Sequence, residues 1–416
     1  MSFLNMFGSW SSMTKDDEDN IYESASFARS CIRAKRNWLS VFHDCGRARQ
    51  KLKTDALLDA DEVKALLRSE KKKKCAIGLI ADVQYADVPD GPNFEKTSVR
   101  YFRHSLVSLR KAVRHWSRVP NLKLIVNLGD LIDGRNKASG KTTQALRDVS
   151  EAFKPCEVPI AHVIGNHELY NLDRAAMAKH SLLRVPKPNA YHVVDNVASD
   201  DWMFIVLDSF EISTISSEFV AEAWEILASN NPNVDAKRRQ FTSKDWAKGL
   251  EGPDRRFVPF NGGLTKTQLS WLSRTLSQNK EKRVIIFSHI ATYPGSCGPV
   301  CLIWNYEDVL SVIRKDGGGR VVAFIAGHDH HGGYAFDPST GVHHVTLASP
   351  LETPPPSTCH GVLELFEEAM LLHGSGLMWS LPMRIYGLSE KGRAASQTAK
   401  AVKTWGWRNR DWLYLY

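Results

Sequence analysis

Side chains that can bind metal ions recur in five short polar motifs along the chain. The motifs are Asp82-Val-Gln84, Gly129-Asp130-Leu-Ile-Asp133, Gly165-Asn166-His167-Glu168, Ser288-His289 and Gly327-His328-Asp329-His330. The donors among them are carboxylate or amide oxygens of Asp82, Gln84, Asp130 and Asn166 and imidazole nitrogens of His289, His328 and His330. With one shared carboxylate, this set suffices for two divalent ions. Two ions about 3.5–4 Å apart can hold a bridging hydroxide and clamp a phosphoryl group for in-line attack.

No single motif is strong evidence for a site. A Gly-Asp pair after a strand is usually a turn, and a lone histidine such as His289 is more often structural. Each motif, however, directly follows an apolar run typical of a buried strand. Because ligands bind at the carboxyl ends of strands in α/β sheets, five such motifs in order predict one shared site. The lack of a thiolate among the donors favours Mn²⁺ or Mg²⁺ over a soft-ligand zinc site.

The elements that would position these motifs alternate between short apolar runs and helical segments. The runs cover residues 76–81, 122–128, 160–164, 202–207, 284–287, 321–326, 343–347 and 362–366. Helical periodicity is clearest over 99–116 and 265–277. This alternation predicts an α/β catalytic domain, which we assign to residues 75–386. The long polar stretch 211–259 is interpreted as an insertion with a helix of its own near 218–228.

Two extensions flank the predicted catalytic domain. Residues 1–74 are interpreted as a helical, basic extension and linker, with Asp59 as a candidate helix cap. Residues 387–416 form an aromatic, basic tail, which we expect to dock on the core or on a neighbouring subunit. The first extension carries 15 basic and 11 acidic residues, the second carries 6 and 2, and the remainder carries 33 of each. The net charge of +8 therefore lies entirely in the extensions.

Composition excludes several classes of protein. Among 416 residues, 43% are hydrophobic and 24% charged, which excludes global disorder, and no apolar run is long enough to span a membrane. A neutral catalytic domain does not support a nucleic-acid-binding face. Seven scattered cysteines indicate a reducing compartment, and without a secretory or transit signal we expect a cytoplasmic protein. Cys297 and Cys301 are interpreted as ordinary thiols rather than a metal pair.

The five motifs resemble the metal-binding blocks of the calcineurin-like metallophosphoesterases. Gln84 stands where the broad family has histidine, and this departure resembles one branch, the manganese-dependent ADP-ribose/CDP-alcohol diphosphatases. Further segments that resemble this branch across residues 75–386 are I-A-D-V-Q-Y-A-D, R-Y-F-R-H-S-L, F-N-G-G-L-T-K-T-Q-L-S-W-L, C-L-I-W-N-Y, G-H-D-H-H-G-G-Y and H-H-V-T-L with E-T-P-P. The branch usually has threonine where this chain has Asp329, which we interpret as a solvent-facing loop residue.

The resemblance implies a four-layer α/β/β/α sandwich with two mixed sheets and two metal sites. One ion would be bound by Asp82, Gln84, Asp130 and His330. The other would be bound by Asp130, Asn166, His289 and His328, so that Asp130 bridges. Two Mn²⁺ ions are expected, and Mg²⁺, Zn²⁺ or Fe are compatible. His167 would act on the substrate phosphate and the leaving oxygen, and Asp133 would orient its imidazole.

The substrate-binding residues are less constrained. Candidates to stack on a base are Phe94, Trp304 and Tyr306, and candidates to meet a second phosphate are Arg100, Arg103 and His104. Loop packing is the alternative for the aromatic residues, and a solvated helix face is the alternative for the basic ones. Cys301 shares a loop with Trp304 and is expected to neighbour the pocket.

The resemblance implies hydrolysis of a phosphoanhydride in nucleoside diphosphate derivatives by a metal-bridging hydroxide. ADP-ribose would give AMP and ribose 5-phosphate, and CDP-choline or CDP-glycerol would give CMP and the phospho-alcohol. The alternatives are a cyclic-nucleotide phosphodiesterase or a phosphomonoesterase on the same centre, and a non-catalytic scaffold with this fold. The expected partner is a small nucleotide-derived substrate, without nucleic acid or a membrane span. The sequence leaves the oligomeric state open.

Overall fold

The structure, a computed structural model, describes residues 56–68, 73–93, 96–186, 189–195, 197, 201–215 and 218–386. The strands are β1 (Cys75–Ile80), β2 (Gly91–Pro92), β3 (Val99–Arg100), β4 (Leu122–Asn127), β5 (Ile160–His162), β6 (His192–Val193), β7 (Trp202–Val206), β8 (Ile212–Ser213), β9 (Val234–Asp235), β10 (Gln240–Phe241), β11 (Gly262–Gly263), β12 (Arg283–Phe287), β13 (Val321–Ala326), β14 (Gly333–Asp337), β15 (Val342–Thr346), β16 (Cys359–Leu365), β17 (Ala369–Gly376) and β18 (Leu381–Arg384). The helices are α1 (Ala60–Arg68), α2 (Phe102–Trp116), α3 (Arg135–Ala138), α4 (Thr142–Phe153), α5 (Asn166–Asn171), α6 (Arg174–Lys179), α7 (Val220–Asn230), α8 (Lys266–Gln278) and α9 (Tyr306–Asp316), with a 3₁₀ helix at Gly252–Arg256.

Two six-stranded mixed sheets form the centre of the fold. The first has the strand order β18-β17-β16-β1-β4-β5, in which β1, β4 and β5 are parallel. The second has the order β14-β15-β13-β12-β7-β6, in which β15, β13, β12 and β7 are parallel. Every strand that precedes a metal-capable motif is one of these parallel strands. Their carboxyl ends share one edge of each sheet, the edge at which ligands bind in such folds.

The two sheets pack face to face, and helices cover their outer sides. Because successive residues of a strand point to opposite faces, Ile77 and Leu79 of β1 meet Phe287 of β12 in the core between the sheets. Ala76 and Ile80 of the same strand belong to the core that includes the helices. Helix α2 connects β1 to β4, and α9 connects β12 to β13. The predicted α/β/β/α sandwich is confirmed.

The predicted elements are present, with shifted boundaries. All eight predicted apolar runs contain a strand, although the last one begins at Cys359 rather than near residue 362. The helix predicted over 99–116 begins only at Phe102, because Val99 and Arg100 pair with β2 as a short hairpin. Thr265 lies outside α8 as its cap, since its hydroxyl accepts a hydrogen bond from the Gln268 amide at 3.1 Å.

The described part of the N-terminal extension packs on the edge of the first sheet. The carboxylate of Asp59 accepts hydrogen bonds from the amides of Asp61 and Glu62, both at 2.9 Å, so the predicted cap of α1 is confirmed. Val63 packs on Phe366, just after β16, and on Leu371 of β17. The other predicted N-terminal helices and the docking of the tail fall in residues 1–55 and 387–416, outside the described residues. No helix in the described part of the chain combines the length and apolar character that a membrane span requires.

The stretch 211–259 contains α7, close to the predicted helix, one short strand pair and one strand of a second pair. Strand β9 pairs with β10, and β8 pairs with β11 beyond the end of the stretch. Its apolar side chains form a small core around Leu227 and Phe257 that includes Trp304 of the loop before α9. The interpretation of this stretch as an insertion stays a prediction.

Candidate metal centre

The predicted donors converge where the carboxyl ends of the two sheets meet. Asp130 follows β4, His289 follows β12 and His328 follows β13, and donor atoms of these residues lie within 4.8 Å of one another. Asp82 Oδ1, after β1, is 3.9 Å from His289 Nε2 and 3.7 Å from His330 Nε2. The structure thus brings together side chains from both sheets that are as many as 248 positions apart, from residue 82 to residue 330.

Gln84 and Asn166 complete the set of donors. Gln84 Nε2 lies 2.8 Å from His330 Nε2 and 3.2 Å from Asp130 Oδ2. A half-turn of the Gln84 amide exchanges Nε2 and Oε1. Oε1 then lies next to His330 and Asp130, as binding of a metal ion by this oxygen requires. Asn166 is the first residue of α5, and the amide of the next residue, His167, donates to Asp130 Oδ1 at 2.8 Å. The whole predicted donor set therefore borders one cleft.

The backbone at the centre adopts conformations that are uncommon for residues with side chains. Asp82, Gln84, Asp130 and His328 have positive φ angles of 52°, 43°, 56° and 71°. Such left-handed residues cost free energy and cluster at functional sites. The backbone of Gly165 also lies very close to Asp130. A Cβ atom at position 165 would be 2.1 Å from Asp130 Oδ1, so a side chain does not fit there. The tight turns after the strands thus direct the donors toward one another.

Fixed hydrogen bonds aim two of the imidazoles into the centre. His289 Nδ1 is 2.7 Å from the backbone oxygen of Leu128, and a carbonyl can only accept, so Nδ1 carries the ring proton. His330 Nδ1 is 2.7 Å from a carboxylate oxygen of Glu352 and donates in the same way. In each ring, once neutral, Nε2 has a lone pair that faces the carboxylates. This is the arrangement that metal-binding histidines need.

Buried oxygen atoms at the centre are short of hydrogen-bond partners. Among the described residues, Asp82 Oδ1 and Asn166 Oδ1 are buried and accept no hydrogen bond, and Gln84 Oε1, which the half-turn of its amide brings to the centre, accepts none in its present orientation. Buried polar atoms are normally paired, and atoms left unpaired at one place call for a ligand. Hard oxygen atoms together with imidazole nitrogens suit divalent ions such as Mn²⁺. The residues present therefore fit the two predicted metal ions.

The electrostatics of the centre favour positive charge. Burial raises the pKa of the Asp130 carboxyl, but His289 and His167 outweigh burial and hold it well below its usual range. Burial lowers the pKa of the His289 imidazole, but Asp130 and Asp82 outweigh burial and raise it to about 9. The Asp130 carboxylate thus stays ionised and attracts a cation such as a divalent ion, whereas burial raises the pKa of the Asp82 carboxyl.

His167 and Asp133 are in contact, as the resemblance implies. His167 Nδ1 lies 3.2 Å from Asp133 Oδ2 and accepts a hydrogen bond from the Gly134 amide at 2.9 Å. In the neutral ring the proton is therefore on Nε2, which lies 4.0 Å from Asp130 Oδ2, and in the charged ring Nδ1 also carries a proton and faces Asp133. Burial opposes a charge on this ring, but Asp130 and Asp133 overcome it and raise the pKa of His167. The geometry presents a proton donor beside the donor set.

Glu168, in the first turn of α5, binds backbone amides of two segments of the centre. It is buried, and its carboxylate accepts from the amides of Gly165 at 2.9 Å, Asp130 at 2.7 Å and Leu131 at 2.6 Å. It thereby ties the turn after β4 to the start of α5, which carries Asn166. Only the glutamate half of a capping box is present, because Gly165 at the N-cap has no side chain, so the sequence carries a weak signal for this role.

Glu352 belongs to the site, although it is not among the functional residues predicted from the sequence. Its Oε1 accepts from His330 Nδ1, and its other oxygen accepts from the hydroxyl of Ser98. Arg100 Nε lies 3.4 Å from Oε1. Burial raises the pKa of Glu352, but the hydrogen bond from His330 and the other partners lower it to about 2. One carboxylate thus connects a metal-capable histidine to the β2–β3 hairpin.

Replacing Glu352 with glutamine is expected to weaken Mn²⁺ binding about 10–100-fold, the usual effect of removing a partner of a metal-binding histidine. Glutamine keeps the shape but removes the charge that orients His330. Isothermal titration with Mn²⁺ measures the change. Glu364→Gln is the matched control, because Glu364 Oε2 pairs with His373 Nε2 at 2.8 Å at the opposite end of β1. Equal Mn²⁺ affinity in both variants and the parent protein would contradict this role.

The three basic residues predicted to meet a second phosphate have different partners in the structure. Arg100 pairs with Glu352 at the rim of the centre, and its charge acts on His167. Arg103 pairs with Asp87 at 2.7 Å, and more than half of its side chain is exposed. His104 Nε2 lies 2.8 Å from the backbone oxygen of Ser357. Arg100 is therefore the one of the three that the structure connects to the centre.

The aromatic predictions need one correction. Trp304 is only 2% exposed and packs with Ile212 and Phe257, so its ring has no face open to a base and the stacking role is wrong. Tyr306 opens α9, and the Arg256 guanidinium lies 4.9 Å from its ring centre. Phe94 lies outside the described residues.

An aromatic ring that sequence reasoning missed does border the centre. Phe260 is half-buried, and its ring centre is 5.6 Å from that of His328. The neighbouring loop holds Cys301, which is half-buried, and its backbone oxygen accepts from the Cys297 thiol at 3.3 Å. The partly exposed aromatic ring beside the centre thus belongs to the segment before β11, whereas Trp304 is buried.

Asp329 is not a solvent-facing residue, which corrects the interpretation from sequence. Only 12% of its side chain is exposed. Its Oδ2 accepts from the amide of Gly298 at 2.6 Å, and its Oδ1 accepts from the amide of His331 at 3.2 Å. The carboxylate therefore joins the loop after β12 to the loop after β13.

Comparisons with known proteins agree with this geometry. Residues 76–332 match the sequence profile of a family described as calcineurin-like phosphoesterase. Proteins named manganese-dependent ADP-ribose/CDP-alcohol diphosphatase are similar to this chain. The one from Danio rerio is 39% identical over 72% of this chain and 94% of its own length, and the one from Oryza sativa subsp. japonica is 40% identical over 74% and 94%. The crystal structure of a dimetal phosphatase from Danio rerio superposes with a TM-score of 0.70 at 36% identity, covering 76% of this chain and 100% of that one.

Proposed function

This chain belongs to the calcineurin-like phosphoesterase family, and we propose that it is a manganese-dependent diphosphatase of nucleoside diphosphate derivatives. It would convert ADP-ribose to AMP and ribose 5-phosphate, and CDP-choline or CDP-glycerol to CMP and the phospho-alcohol. The observation that carries the proposal is that the complete donor set, with its unusual Gln84, lies in one cleft of a chain 35–40% identical to diphosphatases of that name. The predicted cytoplasmic location stays a prediction.

Two groups of side chains would hold the ions. The first consists of Asp82, Gln84, Asp130 and His330, and the second of Asp130, Asn166, His289 and His328. Ions bound there would supply Lewis acidity and activate water at neutral pH. Asp130 belongs to both groups because its Oδ2 lies 3.4 Å from His289 Nε2 and 3.2 Å from Gln84 Nε2.

The remaining residues of the cleft would act on the substrate. His167 in its charged form would donate the proton on Nε2 to the oxygen that leaves when the phosphoanhydride breaks, and the proton that remains on Nδ1 would face Asp133 Oδ2. Asp133 keeps that ring in place and favours its charged form. Arg100, whose charge acts on His167 and which pairs with Glu352, would meet the second phosphate of a diphosphate. Phe260 offers a flat apolar surface next to His328, suited to a nucleobase.

The test is a product assay of the full chain with four substrates, each with Mn²⁺ and with Mg²⁺. The substrates are ADP-ribose, CDP-choline, cyclic AMP and p-nitrophenyl phosphate. We expect Mn²⁺-dependent release of AMP or CMP from the first two. Turnover of cyclic AMP or of the monoester alone would refute the diphosphatase assignment and favour one of the alternative phosphoesterases.

A further inference from the structure

Asn261 is a buried amide that directly contacts a metal-capable histidine. It lies in the Asn-Gly-Gly segment before and within β11, and none of its surface is exposed. Its Oδ1 is 2.8 Å from His328 Nε2. The residue contributes no donor to the centre itself, so its contact with the far side of the His328 ring needs another explanation.

The orientation of the Asn261 amide follows from its partners. Its Nδ2 donates to the backbone oxygen of Arg256 at 2.8 Å and to that of Val300 at 2.6 Å. Both partners are carbonyls, which can only accept. A reversed amide would set its oxygen against these two carbonyl oxygens and lose both hydrogen bonds. Oδ1 must therefore be the atom that faces His328.

The orientation of the amide decides where His328 carries its ring proton. An amide oxygen can only accept, so His328 Nε2 is the protonated nitrogen. His328 Nδ1 then has a lone pair, and it lies 3.1 Å from His289 Nε2 on the side of the ring that faces Asp130. The other tautomer would point a proton into the centre and remove this donor.

We propose that Asn261 is a positioning residue that locks His328 in the Nε2-protonated tautomer and so keeps Nδ1 available to a divalent ion. The inference deepens the proposed function and rests on it for the identity of the ions. The contact between Asn261 and His328 differs from the contacts of His289 and His330, because a neutral side-chain amide, held by two backbone oxygens, sets the tautomer of His328. The two backbones belong to the 211–259 stretch and to the loop before α9, so Asn261 connects both to the centre.

The direct test is the tautomer of His328, read from nitrogen chemical shifts of the full chain labelled with ¹⁵N-histidine. Spectra are recorded in chelator and with Mg²⁺, which is diamagnetic, and His328→Gln identifies the signal. We expect an Nε2-protonated ring in both spectra of the parent protein. An Nδ1-protonated ring, or a mixture of tautomers, in the parent protein would overturn the proposal. This readout uses no substrate, so it is independent of the diphosphatase assignment.

Two variants separate the acceptor role from a merely structural one. Asn261→Leu keeps about the same size but loses the acceptor that faces His328, whereas Gln268→Leu removes another fully buried amide, which bonds to Asp208 and Glu211 and not to a metal-capable residue. We expect Mn²⁺ affinity about 10–100-fold weaker and mixed tautomers of His328 in Asn261→Leu, and the Mn²⁺ affinity and tautomer of the parent protein in Gln268→Leu. Equal loss of Mn²⁺ affinity in both variants, or no loss in Asn261→Leu, would contradict the proposal. If either variant fails to fold, the tautomer of the parent protein still decides.

Discussion

Replacing Asp130 with asparagine is expected to lower kcat for ADP-ribose by at least about a thousandfold. A single donor that stabilises charge in a transition state is already worth about 10²–10³, and Asp130 serves both groups of donors. Asparagine keeps the shape but removes the negative charge that lies 3.4 Å from His289 Nε2. Turnover with saturating Mn²⁺, together with the Mn²⁺ content of the purified variant, measures the effect. We expect at most one bound ion per chain.

The matched control for Asp130→Asn is Asp337→Asn. Asp337 is also buried, but it lies at the end of β14 and accepts hydrogen bonds from Ser339 and Thr340 in a local turn. That variant should keep the turnover and Mn²⁺ content of the parent protein. Normal turnover of Asp130→Asn would show that the two-ion interpretation of the centre is wrong.

The second large effect is expected for His167→Gln, which should lower kcat for ADP-ribose about 10²–10⁴-fold, the usual contribution of general acid catalysis. The Mn²⁺ content should not change, because His167 is not among the predicted donors. Glutamine retains a side chain that can donate a hydrogen bond but cannot transfer a proton at neutral pH. Steady-state kinetics and metal analysis of the same preparation measure both quantities.

The choice of leaving group separates proton transfer from general disruption of the site. A nucleoside p-nitrophenyl phosphate releases a phenolate that needs no proton, so His167→Gln should slow its hydrolysis much less than that of ADP-ribose. Asp133→Asn should show the same selectivity with a smaller loss, because Asp133 acts on the substrate only through the ring of His167. An equal loss of rate with both substrates would refute the role of His167 as a proton donor.

The strands and the donors at their ends could be predicted because both signals are local. A short apolar run followed at once by Gly-Asp or Gly-His specifies a buried strand and a turn within a few residues. The topology then brings the carboxyl ends of the strands together. Asp82, Asp130 and His328 therefore lie in one cleft as predicted, although the sequence does not display the positive φ angles that aim them.

The partners that orient the donors could not be predicted, because they come from distant segments without a motif of their own. Glu352 reaches His330 from 22 positions away, and Asn261 reaches His328 from 67 positions away. The prediction of the aromatic substrate-binding residues was incorrect for Trp304 for a related reason. Whether an aromatic residue in a loop is a packing residue, as Trp304 is, or borders the cleft, as Phe260 does, depends on tertiary contacts that periodicity does not encode.

The most direct test of a two-ion diphosphatase is to titrate Mn²⁺ into the chelator-treated full chain while recording AMP release from ADP-ribose and the amount of bound metal. We predict no AMP release without metal and full activity only when two Mn²⁺ ions are bound per chain. Full activity with a single bound ion, or activity that survives removal of all metal, would contradict the account.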